Sequence, residues 1–185
     1  PAFGRDVAYY VFTLPALEWR HALDTRNVVT LLGQHSRLRF PDPALVGNSA
    51  NQTIGGIGWG HAFNPQGTTF VFASIHFGRE WDTDERVDGE RGIMGARLVG
   101  QYGIDANLEA YATLAVQESD YDTENFVFQA TRRDKLYEAA LGLIWRLQRD
   151  WSLRPQITYT RNSSTIEIYH YDRWDLSVTL RRDFK

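Results

Sequence analysis

Trp151-Ser152-Leu153-Arg154-Pro155-Gln156-Ile157-Thr158-Tyr159-Thr160 alternates without a break. Trp151, Leu153, Pro155, Ile157 and Tyr159 fall on one parity, and Ser152, Arg154, Gln156, Thr158 and Thr160 on the other. A two-residue period puts the two sets on opposite faces of a strand, whereas a helix would scatter them. The pattern recurs outward in both directions. Trp174, Leu176, Val178, Leu180 and Phe184 oppose Asp175, Ser177, Thr179, Arg181 and Asp183. Residues 137–147, 107–119 and 93–102 repeat it, with Tyr137, Leu141, Trp145, Leu108, Leu114, Met94, Leu98 and Tyr102 on apolar parities. Toward the N-terminus the signal weakens: Phe70 and Phe72 interrupt a polar face, and residues 53–63 carry Gly55, Gly56, Gly58 and Gly60. Pro15 marks an edge, a bulge or a break in the first segment. About nine strands are expected, with no helix and no repeat. Several are ~10–13 residues long, against ~5–6 in soluble proteins and ~9–11 for a tilted strand crossing a bilayer.

Composition narrows the class. The chain has 185 residues, 43% apolar and 23% charged, with a net charge of −3, which suits one folded domain over residues 1–185. The near-balance of charge removes the basic footprint of a nucleic-acid binder. There is no cysteine, hence no disulfide, thiolate metal site or Cys nucleophile. No stretch approaches the ~18 apolar residues of a membrane helix, but an alternating barrel strand is only mildly hydrophobic.

Link lengths and aromatics carry the next step. Short turns are expected at Asp24–Asn27, Asn64–Gly67, Gly103–Ala106 and Gln148–Asp150. Longer links are expected at Phe40–Asn51, Glu80–Arg91, Ser119–Arg133 and Asn162–Tyr169. Short links at one end and long links at the other form the pattern of outer-membrane barrels. Trp19, Phe63, Tyr102, Trp145 and Trp151 lie beside the short turns on apolar parities, and Tyr137, Tyr159, Trp174, Phe77 and Trp81 toward the long links. Two belts of amphipathic rings are what two lipid–water interfaces select. The expectation is therefore an antiparallel up-and-down transmembrane β-barrel. Its apolar face would meet outer-membrane lipids, and Arg97, Glu109, Glu138, Arg146 and Arg154 would line a wet lumen.

The chain closes on Arg181-Arg182-Asp183-Phe184-Lys185, where Phe184 resembles the terminal aromatic by which barrel-insertion machinery recognises its substrates. Further runs narrow the likeness: Tyr121-Asp122-Thr123-Glu124-Asn125, Arg133-Asp134-Lys135-Leu136-Tyr137, Tyr159-Thr160-Arg161-Asn162-Ser163-Ser164 and Tyr169-His170-Tyr171-Asp172-Arg173. Over residues 90–184 the chain resembles the C-terminal barrel of surface lipoprotein assembly modifiers. The resemblance implies a bacterial outer-membrane location, a lipoprotein client and a barrel of fourteen strands, of which this chain would be a C-terminal part. A closed eight-stranded barrel from Val28 to Phe184, with residues 1–26 as an extra edge strand or plug, is the competing architecture. The competing functions are a passive porin or exopolysaccharide-export barrel and a soluble β-barrel that binds a ligand inside.

Catalytic chemistry finds no constellation. His21, His35, His61, His76 and His170 are dispersed and form no spaced metal pair, so neither a metal nor a cofactor is expected. The glycines at 55–60 lack the lysine and following helix of a phosphate loop. The acidic run from Glu80 to Glu90 matches no calcium loop and is read as a solvated link. No enzyme activity is expected.

Overall fold

The computed structural model describes residues 10–40, 49–82, 89–148 and 150–183. They form one antiparallel sheet of nine strands, ordered as the chain supplies them. The strands are β1 (Tyr10–Ala22), β2 (Asn27–Arg39), β3 (Ala50–Ala62), β4 (Phe70–Asp82) and β5 (Arg91–Gly103). β6 (Leu108–Asn125), β7 (Ala130–Gln148), β8 (Trp151–Ser164) and β9 (Tyr171–Arg182) complete it. Tight turns at one end are built by carboxylates. Asp24 accepts hydrogen bonds from the Arg26 and Asn27 amides, both at 2.7 Å. Those N–H groups, Arg26 first, hold the Asp24 carboxyl below the usual carboxylate range. Asp105 repeats the arrangement with the amides of Asn107 and Leu108. Pro15 falls within the register shift between Leu14 and Leu17, a bulge on the outermost strand.

Two expectations are corrected. Residues 119–133 are not a long link: β6 and β7 run on through them and meet in a turn at 126–129. Asn125 makes that turn possible by accepting from the amides of Val127 and Phe128 at 3.1 Å. The closed eight-stranded alternative also fails. β2 pairs with β1 on one side and β3 on the other, leaving no edge for β9. Phe184 lies outside the described residues, as does much of the acidic run after Glu80.

The glycines reveal which way the sheet bends. A Cβ on Gly56, Gly78 or Gly95 would sit 2.8, 2.6 and 2.8 Å from a carbonyl oxygen of the neighbouring strand. A Cβ on Gly33, Gly92 or Gly100, on the opposite parity, would meet nothing within 4 Å. Crowding on one parity and open space on the other means that the sheet is concave on the first side. The concave face carries Thr30, Glu109, Thr113, Ser119, Asp134, Ser152, Thr160 and Asn162, all buried. The convex face carries most of the large apolar side chains, with Leu176 79%, Trp174 68% and Leu141 62% exposed. Buried apolar residues are few among those described: Ala50, Ile93, Tyr121, Ala140 and Ile166. The sheet holds no dry apolar centre among these residues.

Register explains how one hydrogen-bonded row can touch both ends of the sheet. On the convex face, Trp19, Leu31, Ile57, Ile75, Ala96, Val116, Tyr137, Arg161 and Asp172 pair in succession across all nine strands. Trp19 is three residues from the end of β1, whereas Asp172 is ten from the end of β9. A stagger of that size over eight strand spacings corresponds to a tilt of about 30°, near the range of closed barrels. Trp19 therefore belongs to the short-turn end and Tyr137 to the other.

The concavity makes a direct prediction. Gly78→Ala must push against the Thr53 carbonyl and should cost about 1–3 kcal/mol. Gly100→Ala enters open space and should be neutral or stabilising by about 0.5 kcal/mol. Denaturant unfolding of the two variants checks this, and equal losses would reverse the assignment of the faces.

Candidate functional site

Alternation delivers every second residue of β4–β8 to the concave side, and those residues form a continuous polar lining. Arg146 and Glu109 pair across it, where Nη2 donates to Oε1 at 2.6 Å. Gln101 Nε2 donates to the other Glu109 oxygen at 2.9 Å. Glu109 is only 3% exposed, so two donors on neighbouring strands satisfy a carboxylate withdrawn from water. Arg97 and Glu138 share a transverse row, joined through Ala115 on β6, and no ion pair links them. Arg154 also lies on this side, on β8, with its Nε buried and unbonded among the described residues. All five residues expected on the polar face are there, and two of them touch.

Aromatic side chains knit the lining across strands. Tyr111 lies over Gly142, where a Cβ would collide with its ring, and its hydroxyl donates to Gln156 Oε1 at 2.7 Å. The ring thus spans β7 to join β6 with β8. Phe72 covers Gly58, and His76 covers Gly95, in the same way. His76 is a packing residue here, occupying space that the missing side chain leaves.

At the end opposite the short turns, sequence reasoning missed a cluster. Arg132 lies 3.4 Å from the Tyr169 ring centroid and 4.7 Å from that of Tyr121, while its guanidinium pairs with Asp134 at 2.6 Å. Arg91 donates to the Tyr121 hydroxyl and to Glu80, each at 3.0 Å. The extension of β6 and β7 beyond residue 119 builds this cluster, and that extension was hidden by the polar, charge-rich character of 119–133. The tyrosine pattern at 121, 169 and 171 was the available signal.

The convex face is ordered in height. β7 presents Lys135, Tyr137, Ala139, Leu141, Leu143 and Trp145; β8 presents Arg161, Tyr159, Ile157, Pro155, Leu153 and Trp151. β9 presents Asp172, Trp174, Leu176, Val178, Leu180 and Arg182. Each strand reads charge, aromatic, three small or aliphatic residues, then aromatic or charge. Eight residue steps from Tyr137 to Trp145, on strands tilted about 30°, make a band about 23 Å tall. A collar of ion pairs bounds its upper edge: Lys135 with Glu118 at 2.6 Å, Arg133 with Asp120, Arg79 with Asp122 and Arg161 with Asp172 at 3.9 Å. Tyr159 and Trp174 pack at 4.8 Å, and the Tyr159 hydroxyl donates to Asp172 at 2.7 Å, pointing its polar tip into the collar. Trp19, Tyr102 and Trp145 lie exposed near the lower edge, where Arg182 stacks over Trp151. Of the ten aromatics expected at interfaces, nine sit on strands and face this convex side, and Phe63 lies in the link after β3.

Among the described residues, no His, Asp and Glu group has metal-ligand geometry, and no helix is long and apolar enough to cross a membrane. Comparison with protein-family models, curated proteins and solved structures found no match.

The buried carboxylate yields a test. Arg146→Met should cost about 1–3 kcal/mol, because it leaves Glu109 charged and half-satisfied. Adding Glu109→Gln should restore most of that loss. Unfolding curves of the single and double variants decide it, and a double variant no more stable than the single would contradict the pairing.

Proposed function

We propose that this chain is a section of the wall of a bacterial outer-membrane β-barrel that delivers lipoproteins to the cell surface. One observation carries the membrane half of the reading: the apolar band on the convex face, edged by aromatic rings and an ion-pair collar. In water such a face would be an apolar patch across every strand, far beyond the few hundred Å² that soluble monomers expose. Acyl chains cover it at no cost in specificity, and each half-exposed Leu or Ile gains on the order of 1 kcal/mol there.

The free edges support a larger barrel. Among the described residues, β1 and β9 each have one unpaired side, and an open edge is untenable in hydrocarbon. Both strands run toward the short-turn end, so joining them directly would make a parallel pair. Antiparallel closure takes an odd number of further strands. A fourteen-stranded barrel, which the resemblance to surface lipoprotein assembly modifiers suggests, would add five and meets that condition. The lipoprotein half of the reading rests on that resemblance. Delivery needs no covalent step: the polar concave face offers a wet path, and the cluster around Arg132 lies at the far end of it.

Cells carrying and lacking the intact gene test this. Deletion should abolish protease access to surface lipoproteins, and the protein should extract with the detergent phase. Unchanged lipoprotein exposure would overturn the client assignment. A stable single-channel conductance in that case would mark a passive pore, and recovery in the aqueous phase would overturn the membrane reading itself.

A further inference from the structure

The short-turn end of the concave face holds a recess of about 230 Å³ that the lining described above does not explain. Three neighbouring strands converge on it. Arg146 of β7 and Arg181 of β9 are the register partners that flank Ser152 of β8, and Arg154 stands two residues along β8 on the same face. Ser152 is only 7% exposed, and its hydroxyl has no hydrogen-bond partner among the described residues. The buried Arg154 Nε lacks one as well. Two unsatisfied donors on residues that line a single recess are unusual, because a buried polar group without a partner costs about 1–3 kcal/mol.

The β7–β8 ladder lacks two pairs beside the recess, with its register unchanged across them. Pairing of β7 with β8 is interrupted between Gly142↔Gln156 and Trp145↔Leu153, opposite Pro155, which has no N–H to give. The two flanking arginines are already oriented. Arg146 is tethered to Glu109, and Arg181 donates through Nε to Asp183 at 2.8 Å. Arg154 has no ion pair among the described residues, so its charge is unspent. Asp150 and Asp183 also line the recess, which keeps its overall charge small and makes donor geometry, rather than bulk attraction, the basis of recognition.

From these observations we infer that the recess binds a small oxyanion, a phosphate or a carboxylate, which accepts hydrogen bonds from Ser152 Oγ and Arg154 Nε. At ~30 Å³ per water, its volume accommodates such an ion with part of its hydration. Arginine beside a hydroxyl suits this ligand class, since both donate and neither can accept the charge away. The inference concerns the concave face alone and stands whether or not the client assignment is correct.

Calorimetric titration of the full chain in detergent micelles tests it, with inorganic phosphate and acetate as separate probes at constant ionic strength. Saturable binding of one ion per chain is expected from at least one probe, and the better probe identifies the oxyanion. Ser152→Ala and Arg154→Gln should each weaken it about tenfold or more, as charge-assisted hydrogen bonds require. Arg173→Gln removes a cation from the same face of β9, outside the recess, and should leave affinity within about twofold. Circular dichroism confirms that each variant keeps its strand content. Binding of neither probe, or affinity insensitive to both Ser152→Ala and Arg154→Gln, would overturn the inference.

Discussion

Most large apolar side chains of this sheet point away from its hollow, and among the described residues nothing covers them. That inversion follows from curvature. On the concave side, neighbouring strands lean together until a Cβ at Gly78 or Gly95 would strike a backbone carbonyl. Glycines, polar side chains and rings lying over glycines make up much of that side, beside a few aliphatic residues such as Ile54 and Leu136. On the convex side the strands splay, and Leu141, Leu176 and Trp174 stand clear of their neighbours. A sequence that reserves its bulk for the open side and its hydrogen bonds for the crowded side cannot be stabilised by a dry core. Under the membrane reading proposed above, its hydrophobic driving force comes from a surrounding apolar phase.

Backbone pairing imposes the second constraint. Every internal strand pairs with a neighbour on each side, and the steady stagger of register across the sheet is the form that pairing takes when strands tilt toward closure. The same stagger sets the heights of the aromatic rings. Trp19 and Tyr137 share one row yet lie at opposite borders of the apolar band, which a flat, untilted sheet would not permit. The ion pairs above Tyr137, Tyr159 and Trp174 then mark where the apolar band ends. Below, turn carboxylates such as Asp24 and Asp105 mark the other limit.

Much of this was legible in the residues. The alternation of β5–β9 gave both strand identity and facing, and the parity of Arg97, Glu109, Glu138, Arg146 and Arg154 placed them on one side without knowledge of the register. Three features were not legible. The run 119–133 looked like a loop because its strands are charged on both faces, and strands above an apolar band have no reason to alternate. The pairing of Arg146 with Glu109 depends on register, which a one-residue slip would have changed. The packing of His76, Phe72 and Tyr111 over glycines requires knowing which residues lie opposite each other, and single-strand patterns contain no such information.

The facing of one strand is the most direct measure of this account. Because the chain has no cysteine, single cysteines can be introduced at positions 152–159 of β8 and spin-labelled against a silent background. In lipid bilayers the account predicts a two-residue alternation. Labels at 153, 155, 157 and 159 should be relaxed by oxygen dissolved in the lipid, and labels at 152, 154, 156 and 158 by a water-soluble nickel chelate. Alternation of the opposite phase, or equal access of the chelate to both sets, would contradict it.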